Sequence, residues 1–470
     1  MHRMTSTLPI VTPRSRHFVI TRRIDLFTTR EPHISTIMKR IIRLFTTALA
    51  IALTLPTYAQ ELRTSYFMEN SLFRHQMNPA LLEDPYLSIL TGNINVGTTG
   101  NIGAKDFIYE LKDNPDYKYT TFMNPTVNTE EFLNKLHKNN RVDAYVNFNL
   151  LSVGFKAFGG TNLIEANLRS NTNVALPYEL FEFAKTTGAK EEYDLSRFGG
   201  RSQNYLEFAL GHAHNIGQKV RIGAKAKFLL GVAFADISAN QFKATLNQDK
   251  WQIQTDAQMH FGYLGYTPAG MGLAVDLGVT YKPTQHLTLS AGVTDLGMIK
   301  WKPLKGTFKQ EFTFDGFEDI KVGNSGTGNN IEDEFDQIAG DLEELVEITD
   351  EGEVTLTHNI TPTINAGVEY ALPAYDKLRF GLLYTGRIDG LYTWHQGMFA
   401  ANIRPAKWFE LSANCAYSNT GFTYGGAISL RAKRFNFYVG ADRIISKVSK
   451  QFIPLDHTNS SVNVGIAFPL

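Results

Sequence analysis

The sequence has a single cysteine, Cys415, so no internal disulfide can form. It has no surplus of charge: 46 Lys and Arg are balanced by 46 Asp and Glu, for a formal net charge of zero. That balance gives no basic surface for nucleic acid and no acidic solvating tail. Beyond the N-terminal region no apolar run approaches the roughly 18 residues that a membrane-crossing helix needs. Catalytic signatures are missing too, with no Gly-x-Ser-x-Gly, no His-Glu-x-x-His and no glycine-rich phosphate loop. The reading is of a protein that is not an enzyme and needs no cofactor. His212 and His214 share one side of a strand, but no third metal ligand is near in sequence, so they read as rim or turn histidines rather than a metal site.

What the sequence does have points to a sheet. Aromatic residues make up 12% of the chain and glycines number 38, which suits strands with aromatic girdles and tight turns. Mean hydropathy is −0.19, a value that looks water-soluble. A barrel averages to the same figure, because lipid-facing and lumen-facing residues alternate and cancel.

Residues 38–59 have the order of a secretory signal peptide. Lys39, Arg40 and Arg43 are basic, Leu44 to Leu55 is apolar, and Thr57-Tyr58-Ala59 offers small residues for cleavage between Ala59 and Gln60. A buried helix or a membrane anchor is the alternative. Residues 1–37 precede a complete signal and read as an over-extended start with the true initiator at Met38, or else as a long n-region.

Period-two alternation is the main signal. In 272–281, Leu273, Val275, Leu277 and Val279 alternate with Gly272, Ala274, Asp276 and Gly278. The same pattern runs through 219–230, 251–260, 362–372, 408–417 and 461–469. In 145–157 the apolar phase changes at Leu150-Leu151, which predicts a bulge. Many of these segments reach the ~9–11 residues of a membrane-spanning strand. Tight turns, including 215–218, 247–250, 282–285, 373–377, 404–407 and 431–434, alternate with the long connections 98–144, 171–203, 298–361 and 443–460. Short turns belong in the periplasm and long loops outside. The expected fold is therefore all-β, a transmembrane antiparallel barrel of about 14–16 strands, with 16 the first count. The barrel spans 87–470, and 303–361 forms an outer loop. That loop carries an acidic run (Glu332, Asp333, Glu334, Asp336, Asp341, Glu343, Glu344, Glu347) and a short helix through Leu342, Leu345 and Val346. The run lacks the ligand order of a Ca²⁺ loop.

The polar faces assign lumen-facing charges: Arg221, Lys225, Lys227, Arg379 and Arg404 against Asp256, Asp276, Glu369, Glu410 and Asp442. Arginine at Leu277 is expected to be costly and arginine at Asp276 milder, if the lumen is wet.

Between the signal and the first strand, Tyr66, Phe67, Met68 and Phe73 precede Arg74-His75-Gln76-Met77-Asn78-Pro79-Ala80-Leu81. An Asn-Pro-Ala element in this place resembles the N-terminal segment of FadL-like long-chain fatty-acid transport barrels, in which such a segment plugs the lumen. Asp295-Leu296-Gly297 followed by Trp301 resembles a strand end of an uncharacterised bacterial outer-membrane family with the same start. The resemblance implies that 60–86 is a plug, with Asn78, Pro79, Ala80, Phe67 and Phe73 as its candidate residues. It also implies passage or binding of a hydrophobic or amphipathic small molecule in the bacterial outer membrane, in contact with its lipid. The alternative is a structural or assembly subunit of a secretion or adhesion machine, with protein partners at its outer loops.

Overall fold

The structure is a computed structural model, and it describes residues 62–90, 92–110, 119–186, 188–247, 250–314, 321–322, 349–443 and 460–470. The signal segment, Ala59-Gln60 and the acidic run with its helix lie outside the described residues.

One antiparallel sheet closes on itself as a barrel of 14 strands. The first, β1, is in two pieces, Tyr86–Ile89 and Ile94–Gly100. There follow β2 (Asn139–Ala157), β3 (Gly160–Pro177), β4 (Gly199–Ile216), β5 (Val220–Asn247), β6 (Gly270–Tyr281) and β7 (Leu287–Trp301). The second half comprises β8 (Thr363–Ala371), β9 (Leu378–Arg387), β10 (Trp394–Ala406), β11 (Phe409–Ser418), β12 (Gly421–Ala432), β13 (Phe435–Ala441) and β14 (Ser460–Pro469). Closure comes from β14, which pairs with β13 through Asn436↔Ala467 and with β1 through Ile94↔Val464 and Tyr86↔Pro469. No strand edge is left for lipid to desolvate. The β2–β3 register shifts between Asn149 and Leu151, where the apolar phase changes.

The burial pattern of the wall is inverted relative to a soluble sheet. On β6, Leu273 and Leu277 are 69% and 52% exposed, whereas Asp276 is 0% exposed. Apolar side chains turned outward and polar ones turned inward suit hydrocarbon outside and a polar lumen within. Among the described residues no helix is long and apolar enough to cross a membrane, so the crossing is made by strands. The tight turns gather at one rim, apart from Asn419-Thr420 between β11 and β12, which lies at the other. At the β2–β3 turn, Phe158 and Gly159 take φ of 54° and 74°, the two positive values that a two-residue hairpin turn with the strand's own twist requires. The strand ends that lead into the longer connections lie at the opposite, outer rim.

The 14 strands lie within the 14–16 expected, at the lower end. One expectation from sequence needs correction: residues 251–260 are not part of the membrane wall. β5 is 28 residues long. Its first half pairs with β6, from Val220↔Tyr281 to Gly231↔Gly270. Its second half continues past the outer rim and pairs with Lys250–Tyr263, which pairs in turn with Leu304–Phe314. Asn247 and Lys250 thus pair at the far end of an outer extension, not at a periplasmic turn. The alternation in 251–260 serves a different environment: Trp251 and Ile253 are buried on the inner side against Phe183, Tyr193, Leu195 and Ala244. A second outer cluster joins Ile102, Phe132, Val142, Val174 and Phe181. Asp256 is accordingly not lumen-facing. It lies on the outward face of the extension, 3.7 Å from Lys309.

Candidate functional site

Residues 62–85 lie inside the barrel, and Arg63 reaches Trp394 at the outer end of β10. They form three short 3-10 turns, Arg63–Phe67, Arg74–Gln76 and Pro79–Leu81. The last turn follows from local chemistry. Pro79 occupies the first helical position, where no N–H is needed, and Asn78 caps it by accepting from Ala80 N at 3.0 Å. The Asn78 amide also donates to Tyr66 Oη at 3.1 Å, and Tyr66 donates to Ser290 Oγ on β7 at 3.0 Å. Three wall glycines, Gly223, Gly278 and Gly292, face this turn, and a Cβ at Gly278 would overlap Asn78 Oδ1. Glycine is the residue that lets two backbones approach this closely.

Wall side chains hold the segment chiefly through its main chain. Asp442 accepts from Arg63 N at 2.7 Å and Thr64 N at 2.8 Å. Glu410 accepts from Glu69 N at 3.1 Å and Asn70 N at 2.8 Å. Asn365 donates to Met77 O at 3.0 Å, and Arg221 donates to Ala80 O at 3.0 Å and to Leu82 O. Glu69 pairs with Arg379 and, at 2.5 Å, with Arg404. Arg379 also reaches Glu369 at 3.4 Å. Apolar anchors complete the seat. Phe67 packs among Met77, Leu383, Met398 and Ala400, and Phe73 stands edge-on to Tyr86 with ring centres 5.3 Å apart. His75 bonds Tyr86 Oη at 2.6 Å, and burial, helped by Lys225, pulls its imidazole down to about 3.

The remaining sequence-assigned charges form one buried network on the wall. Lys225 pairs with Glu165 at 3.3 Å. Lys227 sits among Asp295 (2.6 Å), Asp276 (2.9 Å) and Glu207 (3.4 Å). Glu165 also accepts from Gln76 of the segment at 2.8 Å, so the network touches it directly. Glu165, Arg169 and Glu207 did not stand out in the sequence, and nothing there assigned Asn365 or Tyr66 their bonds to the segment. Glu165 and Glu207 lie on strands without the clean apolar alternation that singled out the others.

Outward of the segment the lumen opens into a polar chamber. Arg63 and Met77 of the segment contribute to its lining, and Asn95, Tyr145, Asn147, Arg169, Asn171, Tyr205, Asp295, Asn365 and Arg387 line its wall. His212 and His214 are elsewhere, bonded to each other at 3.1 Å near the periplasmic end of β4. Among the described residues no group of three metal-ligating side chains comes together.

A family of unknown function (DUF5723) matches residues 79–442. No curated protein matches the sequence. Similar solved structures include the Ralstonia pickettii toluene transporter TbuX, at 9% identity over 83% of this chain and 91% of that chain with a TM-score of 0.39. The Pseudomonas putida toluene transporter TodX matches at 9% identity over 89% and 96%, with a TM-score of 0.37. A Pseudomonas aeruginosa FadL homologue matches at 10% identity over 88% and 98%, with a TM-score of 0.40. With identities and TM-scores this low, what those proteins carry is not transferred to this chain.

Proposed function

The chain belongs to the family of unknown function DUF5723, and we propose that it acts in the outer membrane as a gated conduit for a small amphipathic molecule. The solute enters the lumen from outside, rests in the chamber, and leaves when the segment 62–85 moves. The observation that carries this reading is how the segment is held. About half of its polar contacts with the wall are hydrogen bonds between lumenal side chains and its main chain. Each such bond exchanges for one with water at a net cost of about 1 kcal/mol, or about 1.5–3 kcal/mol where the partner is a carboxylate. The barrel wall, whose backbone bonds have no water to exchange with inside the bilayer, stays closed while the segment can leave. Of hydrophobic and amphipathic solutes the second suits the chamber better, because amides, hydroxyls and arginines dominate its lining. Deleting residues 61–80 should give a barrel that assembles yet passes more ionic current across planar bilayers. Unchanged current in a folded deletion variant would overturn the gate.

An assembly role draws on a different observation, the ordered outer extension with its two apolar clusters. On that reading protein partners dock at the outer rim, and removing 233–263 would abolish their co-purification while leaving the conductance of the deletion variant as it is.

A further inference from the structure

The charged residues lining the chamber are three arginines, Arg63, Arg169 and Arg387, and one aspartate, Asp295. Asp295 is already taken by Lys227 at 2.6 Å. Arg169 has Glu207 at 3.4 Å. Arg63 and Arg387 have no ion pair among the described residues and rest on aromatic rings instead. The Arg63 guanidinium is 4.3 Å from the centre of the Trp394 ring, and that of Arg387 is 5.4 Å from Tyr145. Arg443 lies 5.2 Å from the same Trp394 ring. Cations are therefore crowded, and burial followed by Arg443 pulls Arg63 down to about 10. Stacking fixes the plane of a guanidinium while leaving its N–H edge for a planar acceptor.

Beside the arginines runs a row of amides. Asn463, Asn95 and Asn147 are register partners on β14, β1 and β2, and Asn147 is the register partner of Arg169 on β3. Asn95 is 0% and Asn147 5% exposed, both line the chamber, and neither amide atom of either has a hydrogen-bond partner. Buried polar atoms without protein partners belong to water or to a ligand.

We infer that the chamber is an anion site, in which a carboxylate or phosphate group of a small solute sits between Arg63, Arg169 and Arg387, with Asn95 and Asn147 completing its hydrogen bonds. This deepens the conduit reading by naming the solute's charge and rests on it for passage, though not for binding. Met77 and Val146 are the only aliphatic or thioether side chains in the lining, so the site holds the anionic head of a small amphipathic solute rather than a long hydrocarbon tail. Arg63 belongs to the gate segment, so the occupant touches gate and wall together.

Isothermal titration of the full-length, detergent-extracted protein with sodium phosphate, with sodium succinate and with neutral erythritol tests the site. Saturable binding is expected for at least one anion and none for erythritol. Arg387→Gln should weaken the anion at least about tenfold, the scale of one charge-assisted hydrogen bond, and Arg387→Lys should restore part of the loss. If Arg387→Gln does not fold, Asn95→Leu, which keeps the volume and removes both amide atoms, should weaken the anion in the same assay. Absence of saturable binding by either anion, or equal affinity in the wild type and the folded variant, would overturn the site. The conduit reading fails separately, on an unchanged current after deletion of 61–80, an outcome that leaves the titration as it is.

Discussion

Leu277 and Asp276 are neighbours on β6 with opposite environments, 52% and 0% exposed. Arginine at Leu277 should destabilise the barrel by ~2–4 kcal/mol if it lies near the bilayer midplane, because no water solvates the charge there. A milder effect at Asp276 was expected for a wet lumen, and the structure removes that condition. Asp276 is 2.9 Å from Lys227 and accepts from Asp295 N at 2.8 Å. Arginine there would set a second cation against Lys227 and strip it of a partner, a loss on the scale of ~3–5 kcal/mol. Folding titrations into lipid should therefore show comparable losses at both positions, and a near-neutral Asp276→Arg would contradict the ion network. The alternation of these two residues was legible in the sequence. Their partners were not, because which lumenal charges meet is set by register and curvature across strands far apart in the chain.

His75 gives the seat of the segment a pH dependence. Its imidazole titrates at about 3 when docked and at about 6.5 when free. Between those values only the released segment binds the proton, so docking is fully supported above about pH 6.5 and is lost progressively as pH falls. Lys225, Lys227, Glu165 and Tyr86 are the charged and titratable groups around it. Protease sensitivity of residues 62–85 should rise between pH 7 and 5 in the wild type and less in His75→Gln. Identical profiles would remove His75 from the account.

At the scale of elements, the 3-10 turn Pro79–Leu81 fits against glycines of β5 and β6. Gly278→Val should push Asn78 off the wall and raise the bilayer current without disturbing assembly, since the wall backbone at that point is paired on both sides. A current equal to that of the wild type would show that the turn does not contribute to closure. The Asn-Pro-Ala signal located this turn, as expected of an N-cap followed by proline. The glycines facing it carried no signal of their own, because a glycine in a strand reads only as a gap until its neighbour is known. The outer extension was misread for a related reason. Alternation reports that a strand separates two environments but not which is apolar. In 251–260 the apolar face turns inward onto Phe183 and Tyr193, whereas on β6 it turns outward to lipid.

At the scale of the whole molecule, closure of the sheet, the outward apolar band and the gathering of most tight turns at one rim were foreseeable from period and spacing. The strand number was legible only as a range of 14–16, because a hairpin beyond the membrane counts like a hairpin within it. The exported, mature chain is expected to begin at Gln60, which N-terminal sequencing of membrane-extracted protein checks directly; retention of residues 1–59 would remove the signal peptide. The central claim is that a barrel locked by its own backbone bonds holds a segment that is not locked. Cysteines at Met77 and Asn365, neighbours through a 3.0 Å hydrogen bond, would tie the two together in a Cys415→Ser background. Planar-bilayer currents are then recorded in moderate urea, which solvates the segment's exchangeable bonds before the wall yields. Urea should reversibly open the untied protein and leave the oxidised, tied protein closed until reductant is added. Equal currents from the tied and untied proteins would contradict the gate.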